Sequence, residues 1–514
     1  MRIALYLGLA TALGFSACKK DIDNRPNILF IMSDDHTSQA WGIYGGILDS
    51  LISNPNIRRL AEEGSVLNNA FCTNSICVPS RASILTGQYS HENKVYTLAD
   101  ELSSDHPNIA KELREHGYQT AVVGKWHLKS KPAGFDYFLV LPGQGLYRNP
   151  ILKNEETWAE GREGGTHYKG FSSDVIAEES LKWLDKRDKE KPFFLMTHFK
   201  ATHEPFDYPD RLEDLYEYTI FPEPASLLEF SPDLSGRTFE GQQLEILGQR
   251  WIDNSTLSAE QRRYPGLPFS LEGLDSVSAR KKIYQKFIRD FLRCGSTIDE
   301  NIGKLLEYLD DNDLAENTIV IYTADQGYFL GEHGFFDKRM IYEEAIRMPF
   351  VIRYPPEVKA SQRVDEIILN IDFPALFADY AGLPELPFIR GKSFRHLLTG
   401  GIDPSWRKSM YYRYWLHRKE RPAHFGIRTD RYKLAFFYGN PLDMNGAIAA
   451  PTTPGWEFYD LLADPGENKN QYKVSQYSGI IDTLKRELKQ LREQWQDADV
   501  QDPTMMEIIS SAWN

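Results

Sequence analysis

The sequence predicts an α/β fold, a large domain on a mostly parallel sheet flanked by helices, followed by a smaller α+β domain with an antiparallel sheet. Three observations predict it. Asn27-Ile28-Leu29-Phe30-Ile31-Met32 is a continuous apolar run, the pattern of a strand buried on both faces. Similar strand-like runs at 119–123, 193–199 and 318–323 alternate with helical segments, as in sheets built from βαβ units. After Pro404 the texture shifts to short aromatic strand-like stretches without intervening helices.

Taken in order, Pro55 to Glu63 reads as a short helix, and Asn108 to Gly117 as a second, stopped by its glycine. The strand Gln119–Val123 follows. Asp174 to Arg187 is a helix with Ile176, Leu181 and Leu184 inward, leading to the strand Phe193–Phe199. Tyr208 to Tyr264, irregular and rich in Pro, Glu and Asp, reads as an insertion over the site. Lys281 to Leu309 is a long amphipathic helix whose Tyr284, Phe287, Phe291, Ile298, Ile302 and Leu305 belong to the core. Thr318–Thr323 and Pro349–Arg353 are strands, and Asp372–Tyr380 a helix. The small domain takes Met410–Tyr414, His424–Arg428, Tyr432–Phe437 and Glu457–Tyr459 as strands and Ser478–Trp495 as a closing helix. The expected boundaries are 26–400 for the large domain and 401–514 for the small one.

Charge narrows the function. With 59 Lys+Arg against 73 Asp+Glu the net charge is −14, which argues against a nucleic-acid binder. An anionic ligand would need a local positive pocket. Met1-Arg2, the apolar run Ile3–Leu13 and Gly14-Phe15-Ser16-Ala17-Cys18 form a secretory signal over residues 1–18 with a bacterial lipobox at its end. Cys18 would take the lipid, and 19–25 would be a tether. The expected location is therefore the bacterial cell envelope, periplasmic or on the outer-membrane surface, with the membrane reached only through a lipid anchor. Besides Cys18, only Cys72, Cys77 and Cys294 remain; three cannot all pair, so this is no disulfide scaffold.

The chemistry gathers at strand ends, where sheets of this kind bind ligands. Asp34-Asp35 closes the first strand, and two adjacent carboxylates favour a hard cation such as Ca²⁺ or Mg²⁺. Lys125 and His127 follow the strand at 119–123, His203 the strand at 193–199, and Asp325-Gln326 the strand at 318–323, with Lys338 shortly after. Cys77 stands before Pro79, which is expected to open a helix at its first position, with Ser80 and Arg81 in the first turn. A helix N-terminus and a guanidinium together cradle an anion beside a thiol.

These residues resemble the type I, formylglycine-dependent sulfatases. The likeness rests on Cys77-x-Pro79-Ser80-Arg81 with Thr86-Gly87, Asp34-Asp35, Gly124-Lys125-Trp126-His127, His203 ahead of Pro205, Asp325-Gln326-Gly327, Lys338 and Tyr459-Asp460-Leu461 with Asp464-Pro465 and Glu467. The resemblance implies an alkaline-phosphatase-like large domain. It implies one Ca²⁺ held by Asp34, Asp35, Asp325, Gln326 and the formylglycine that a maturation enzyme makes from Cys77. Gln326 stands where many relatives have Asn or His. Arg81, Lys125 and Lys338 would neutralise sulfate oxygens, and His203 would protonate the leaving sugar oxygen. His127 would take the proton that lets the covalent sulfate hemiester collapse to aldehyde.

Within that family, segments 34–40, 329–339 and 424–429 resemble bacterial N-acetylglucosamine-6-sulfatases acting on glycosaminoglycans. The expected substrate is then the 6-O-sulfate of N-acetylglucosamine or glucosamine in a sulfated saccharide. Asp337, Arg339 and His424 would read the sugar, with His333 in the same set, more as support behind it than as a contact. Glu204-Pro205-Phe206 departs from the relatives beside His203. Competing expectations are a sulfatase for galactosamine or algal sulfates, a phosphonate or phosphate ester hydrolase of the same superfold, and a glycan-binding lipoprotein with unmodified Cys77.

Overall fold

The computed structural model describes residues 25–161, 164–230, 241–253, 255, 264–497 and 502–513. The signal segment, Cys18 and all of the tether except Arg25 lie outside the described residues. No helix among the described residues is long and apolar enough to cross a membrane.

The large domain is organised by an eight-stranded sheet. Its strands in chain order are β1 Asn27–Asp34, β2 Ser65–Leu67, β3 Gln119–Lys125, β4 Tyr137–Leu141, β5 Phe193–Thr202, β6 Thr318–Ala324, β7 Phe350–Arg353 and β8 Gln362–Val364. Across the sheet they run β8-β2-β7-β6-β1-β5-β3-β4. β6, β1, β5, β3 and β4 are mutually parallel; β7 runs antiparallel to both neighbours. Burial on both faces explains the unbroken apolar runs. Ile28, Phe30 and Met32 enter one core and Leu29 and Ile31 the other, as the two-residue pleat requires.

Helices cover both faces. They are α1 Pro55–Glu62, α2 Cys77–Thr86, α3 Ile109–Glu115, α4 Ser172–Lys186, α5 Leu244–Ile252, α6 Ser276–Asp311 and α7 Phe373–Tyr380. One expectation is corrected here. Pro79 does not open α2: the helix begins at Cys77, capped by the extended Ile76. Proline still fits, because the first-turn N–H groups have no intrahelical acceptor to lose. The shift matters, since it puts the Cys77 side chain itself on the first helical residue. α2 ends at Gly87, whose φ of 69° is the left-handed cap that favours glycine.

The small domain has strands β9 Ser409–Tyr414, β10 His424–Thr429, β11 Tyr432–Phe437 and β12 Gly455–Asp460, antiparallel in that order, with α8 Ser478–Gln494 and α9 Pro503–Ala512. A buried ion cluster joins it to the large domain. Lys433 on β11 lies 2.7 Å from Glu467 and 3.0 Å from Glu343, all three buried. Burial raises Glu467 to about 7 despite Lys433, while against the same burial Arg428, Lys433 and Arg347 hold Glu343 well below the usual carboxylate range. Removing the cation would leave Glu467 buried without its cation, whereas Glu343 keeps Arg428 and Arg347. Lys433→Met is therefore expected to lose about 3–5 kcal/mol in urea denaturation, far more than a surface ion pair contributes.

Candidate active site

Four adjacent parallel strands deliver the polar residues to one edge. β1 ends in Asp34 and passes to Asp35; β6 passes to Asp325 and Gln326; β3 ends in Lys125; β5 ends just before His203. The register sets Ser33 beside Ala324 and Asp34 beside Thr202, so these ends are level. Gly124, at φ +106°, makes the approach possible: a Cβ there would run into the His198 carbonyl.

Three acids and three cations interlock. Lys125 donates to Asp34 and, at 2.6 Å, to the Gln144 side-chain oxygen. Lys338 donates to both oxygens of Asp35. Arg81 donates through Nε to Asp325 at 2.8 Å and through one terminal nitrogen to the Lys125 carbonyl at 2.7 Å. Its other terminal nitrogen sits 3.8 Å from Asp34, buried and without a hydrogen bond among the described residues. Ser80 donates to the Asp325 carbonyl and accepts from Asn370, which ties α2 to the end of β6. The Gln326 amide nitrogen donates to Asp35 and lies 3.8 Å from Cys77 Sγ.

Electrostatics separates the three carboxyls. Burial alone would raise Asp34, but Lys125 and Arg81 carry it well below the usual range. Burial raises Asp35 despite Lys338, and raises Asp325 to about 7 against the pull of Arg81. Burial also pushes the Cys77 thiol up to about 12. His127 and His203 are held neutral, first by burial and then by the lysines nearby.

The residues present suit a hard divalent cation. Oxygens of Asp34, Asp35 and Asp325 all lie within 4.8 Å of one another. Asp34 Oδ1 and Gln326 Oε1 are buried with no hydrogen-bond partner among the described residues, an arrangement that bound metal would satisfy. The acids already balance Arg81, Lys125 and Lys338, so a divalent ion would add positive charge that an anionic ligand offsets.

The expected catalytic and metal residues thus converge. His203 Nε2 lies 3.8 Å from Asp35, and its Nδ1 donates to the Glu204 carbonyl at 2.8 Å. His127 stands two residues past Lys125 at φ +59°, its Nδ1 buried without a partner among the described residues. The sugar-reading set is split. Asp337 and Arg339 pair beside Lys338, both with positive φ. His424 is fully buried, stacked on Phe437 at 4.6 Å, with Nδ1 donating to the Pro422 carbonyl and Nε2 unpartnered among the described residues. Tyr412 links the two by ring contact with His424 and a 2.5 Å bond to the Arg339 carbonyl. His333 is fully buried, bonded to Glu229 at 2.7 Å and packed on Tyr342.

Sequence reasoning missed Gln144, which holds Lys125, and Arg421, whose guanidinium lies 3.7 Å from Asp337 and depresses Arg339 alongside burial. Both come from irregular loops with no periodic pattern to mark them.

Known proteins share this architecture. The Sulfatase family model matches residues 26–383, and that of the N-sulphoglucosamine sulphohydrolase C-terminal region matches 331–494. The chain is 37% identical to an N-acetylglucosamine-6-O-sulfatase of Bacteroides thetaiotaomicron, over 96% of this chain and 91% of the relative. It is 27% identical to N-acetylglucosamine-6-sulfatase of Capra hircus, over 78% of this chain and 68% of the relative. The solved structure of BT4656 in complex with its substrate D-glucosamine-2-N,6-O-disulfate superposes with a TM-score of 0.83 at 35% identity, covering 93% of this chain and 100% of that one.

Proposed function

The chain belongs to the sulfatase family, and on that premise we propose that it removes the 6-O-sulfate of N-acetylglucosamine or glucosamine from glycosaminoglycan-derived saccharides. It is a sulfuric ester hydrolase. The observation that carries the specificity is the Asp337–Arg339 pair flanking Lys338: groups suited to read sugar hydroxyls are fixed next to a lysine suited to bind the sulfate. That pair stands in a chain closely similar to relatives named for this sulfate position.

The residues divide the work. Arg81, Lys125 and Lys338 present positive charge to the sulfate oxygens, where preorganised electrostatics is commonly the largest catalytic contribution. The Glu204 carbonyl can only accept, so His203 carries its proton on Nδ1 and turns Nε2 toward the site. Without an anion the site keeps that nitrogen unprotonated; the negative charge of a bound sulfate favours the protonated form, in which Nε2 donates to the departing sugar oxygen, an effect worth roughly 10²–10⁴-fold. His127, neutral in its buried setting, is suited to accept a proton. His424, also kept neutral by burial, offers Nε2 as an acceptor.

A bound calcium ion, held by Asp34, Asp35, Asp325 and Gln326, would polarise a sulfate oxygen and activate the nucleophile. A thiol held near pKa 12 is a poor nucleophile at neutral pH. The Cys77-x-Pro79-Ser80-Arg81 motif in a chain of this family supports conversion of Cys77 to formylglycine, whose hydrated aldehyde supplies an oxygen nucleophile instead. The conversion requires a maturation enzyme as partner. We also propose that the mature chain is lipid-anchored through Cys18 at the bacterial cell envelope, on the pattern of residues 1–18.

Sulfate release from N-acetylglucosamine 6-sulfate and its 3- and 4-sulfated isomers tests the specificity. The 6-sulfate is expected to exceed the isomers by about 100-fold in kcat/KM, and Asp337→Asn to erase roughly tenfold of that margin. Equal turnover of the isomers would reject the assignment.

A further inference from the structure

We propose that Arg250 is a positioning residue for the reaction, acting from the insertion through Glu204 to set the ring of His203; this rests on His203 being the proton donor.

The geometry is a relay of fixed contacts. Arg250 lies on α5, and its guanidinium donates to both Glu204 oxygens at 2.6 and 2.8 Å. Tyr264, at the far end of the insertion, donates to the same carboxylate. Glu204 has only 15% of its side chain exposed, so this is a shielded anchor rather than a loose surface pair. The backbone carbonyl of the same residue takes the His203 Nδ1 proton at 2.8 Å. Tyr147 holds the next carbonyl back, donating to His203 O at 2.6 Å. Holding Glu204 by its side chain therefore fixes the carbonyl that decides which His203 nitrogen faces the sulfate.

The insertion braces the opposite wall as well. Gln242, two residues before α5, donates to the Lys338 carbonyl at 2.9 Å, and its own carbonyl accepts from Phe336 N at 2.8 Å. Arg250 also lies over the Phe336 ring, 5.7 Å from its centroid. One short segment thus touches the loops that carry the proton donor and the sulfate-facing lysine.

A double-mutant cycle separates positioning from general support. Arg250→Met is expected to lower kcat on N-acetylglucosamine 6-sulfate about tenfold with KM within about twofold, the signature of an interaction used in the transition state. Glu204→Gln, nearly isosteric, should do the same, and Arg250→Lys should recover most of the loss. In a His203→Ala background, itself expected to be about 100-fold slower, Arg250→Met and Glu204→Gln should each change kcat less than about twofold. Equal losses in both backgrounds, or no loss in the wild type, would overturn the proposal. Full activity of His203→Ala would instead remove His203 as proton donor, a separate failure. Thermal midpoints of all variants identify any that fail to fold, and Glu204→Gln then carries the cycle.

Discussion

Cys77→Ala is expected to lose at least about 10⁴-fold in sulfate release while keeping its fold, since a group that forms the covalent bond cannot be replaced by binding alone. The asymmetry comes from its position. Cys77 opens α2 with a short side chain that meets the Gln326 amide at 3.8 Å, so truncation removes one sulfur atom and no backbone support. Alanine is well tolerated in a helix. The structural cost should stay near 1 kcal/mol, typical of a small buried truncation. The same cysteine has a mass signature: matured protein should weigh about 18 Da less than its unmodified chain, the difference between a thiol and an aldehyde at one β-carbon. Cys72→Ala is the matched control. Cys72 is equally buried but belongs to the apolar core, so its loss should appear in the denaturation midpoint and leave kcat unchanged. Full activity in Cys77→Ala would remove the covalent step from the mechanism.

Much of this site could be read without coordinates, for a physical reason. A strand buried on both faces admits few polar residues, so its end is visible where the apolar run breaks into Asp34-Asp35, Lys125 or Asp325-Gln326; β5 differs, because buried His198 and Lys200 interrupt it before His203. Parallel pairing then brings such ends to one edge, and Asp35 meets Lys338 across 303 positions. Other features leave no comparable mark. β7 runs antiparallel, yet its Phe350–Arg353 reads like any buried strand, because direction is set by the connection and not by composition. Pro79 is compatible with the first helical residue and with the third, and only the cap at Ile76 distinguishes them. Gln144, Arg421 and Arg250 act through contacts from irregular or inserted segments. An Arg-to-Glu pair separated by 46 residues has no periodicity to announce it.

Lys338→Met is expected to reduce kcat by about 10²–10³-fold, the effect of removing one preorganised donor from a developing charge. Its effect on stability tests the metal reading independently of turnover. Lys338 is buried and donates to both oxygens of Asp35, so removing it leaves that carboxylate beside Asp34 with only the Gln326 amide and Lys125 to offset it. Breaking a buried pair in this way costs on the order of 3–5 kcal/mol. A divalent cation among Asp34, Asp35 and Asp325 would supply the missing charge and, by binding only the folded chain, raise the midpoint with concentration. Calcium should therefore stabilise Lys338→Met more than the wild type, and chelation should widen the gap between them. Asp325→Asn should blunt the calcium response in both backgrounds. Midpoints indifferent to calcium in every variant would mean that the carboxylates serve only the two lysines and Arg81, and the activation of a sulfate oxygen would have to come from those three cations alone.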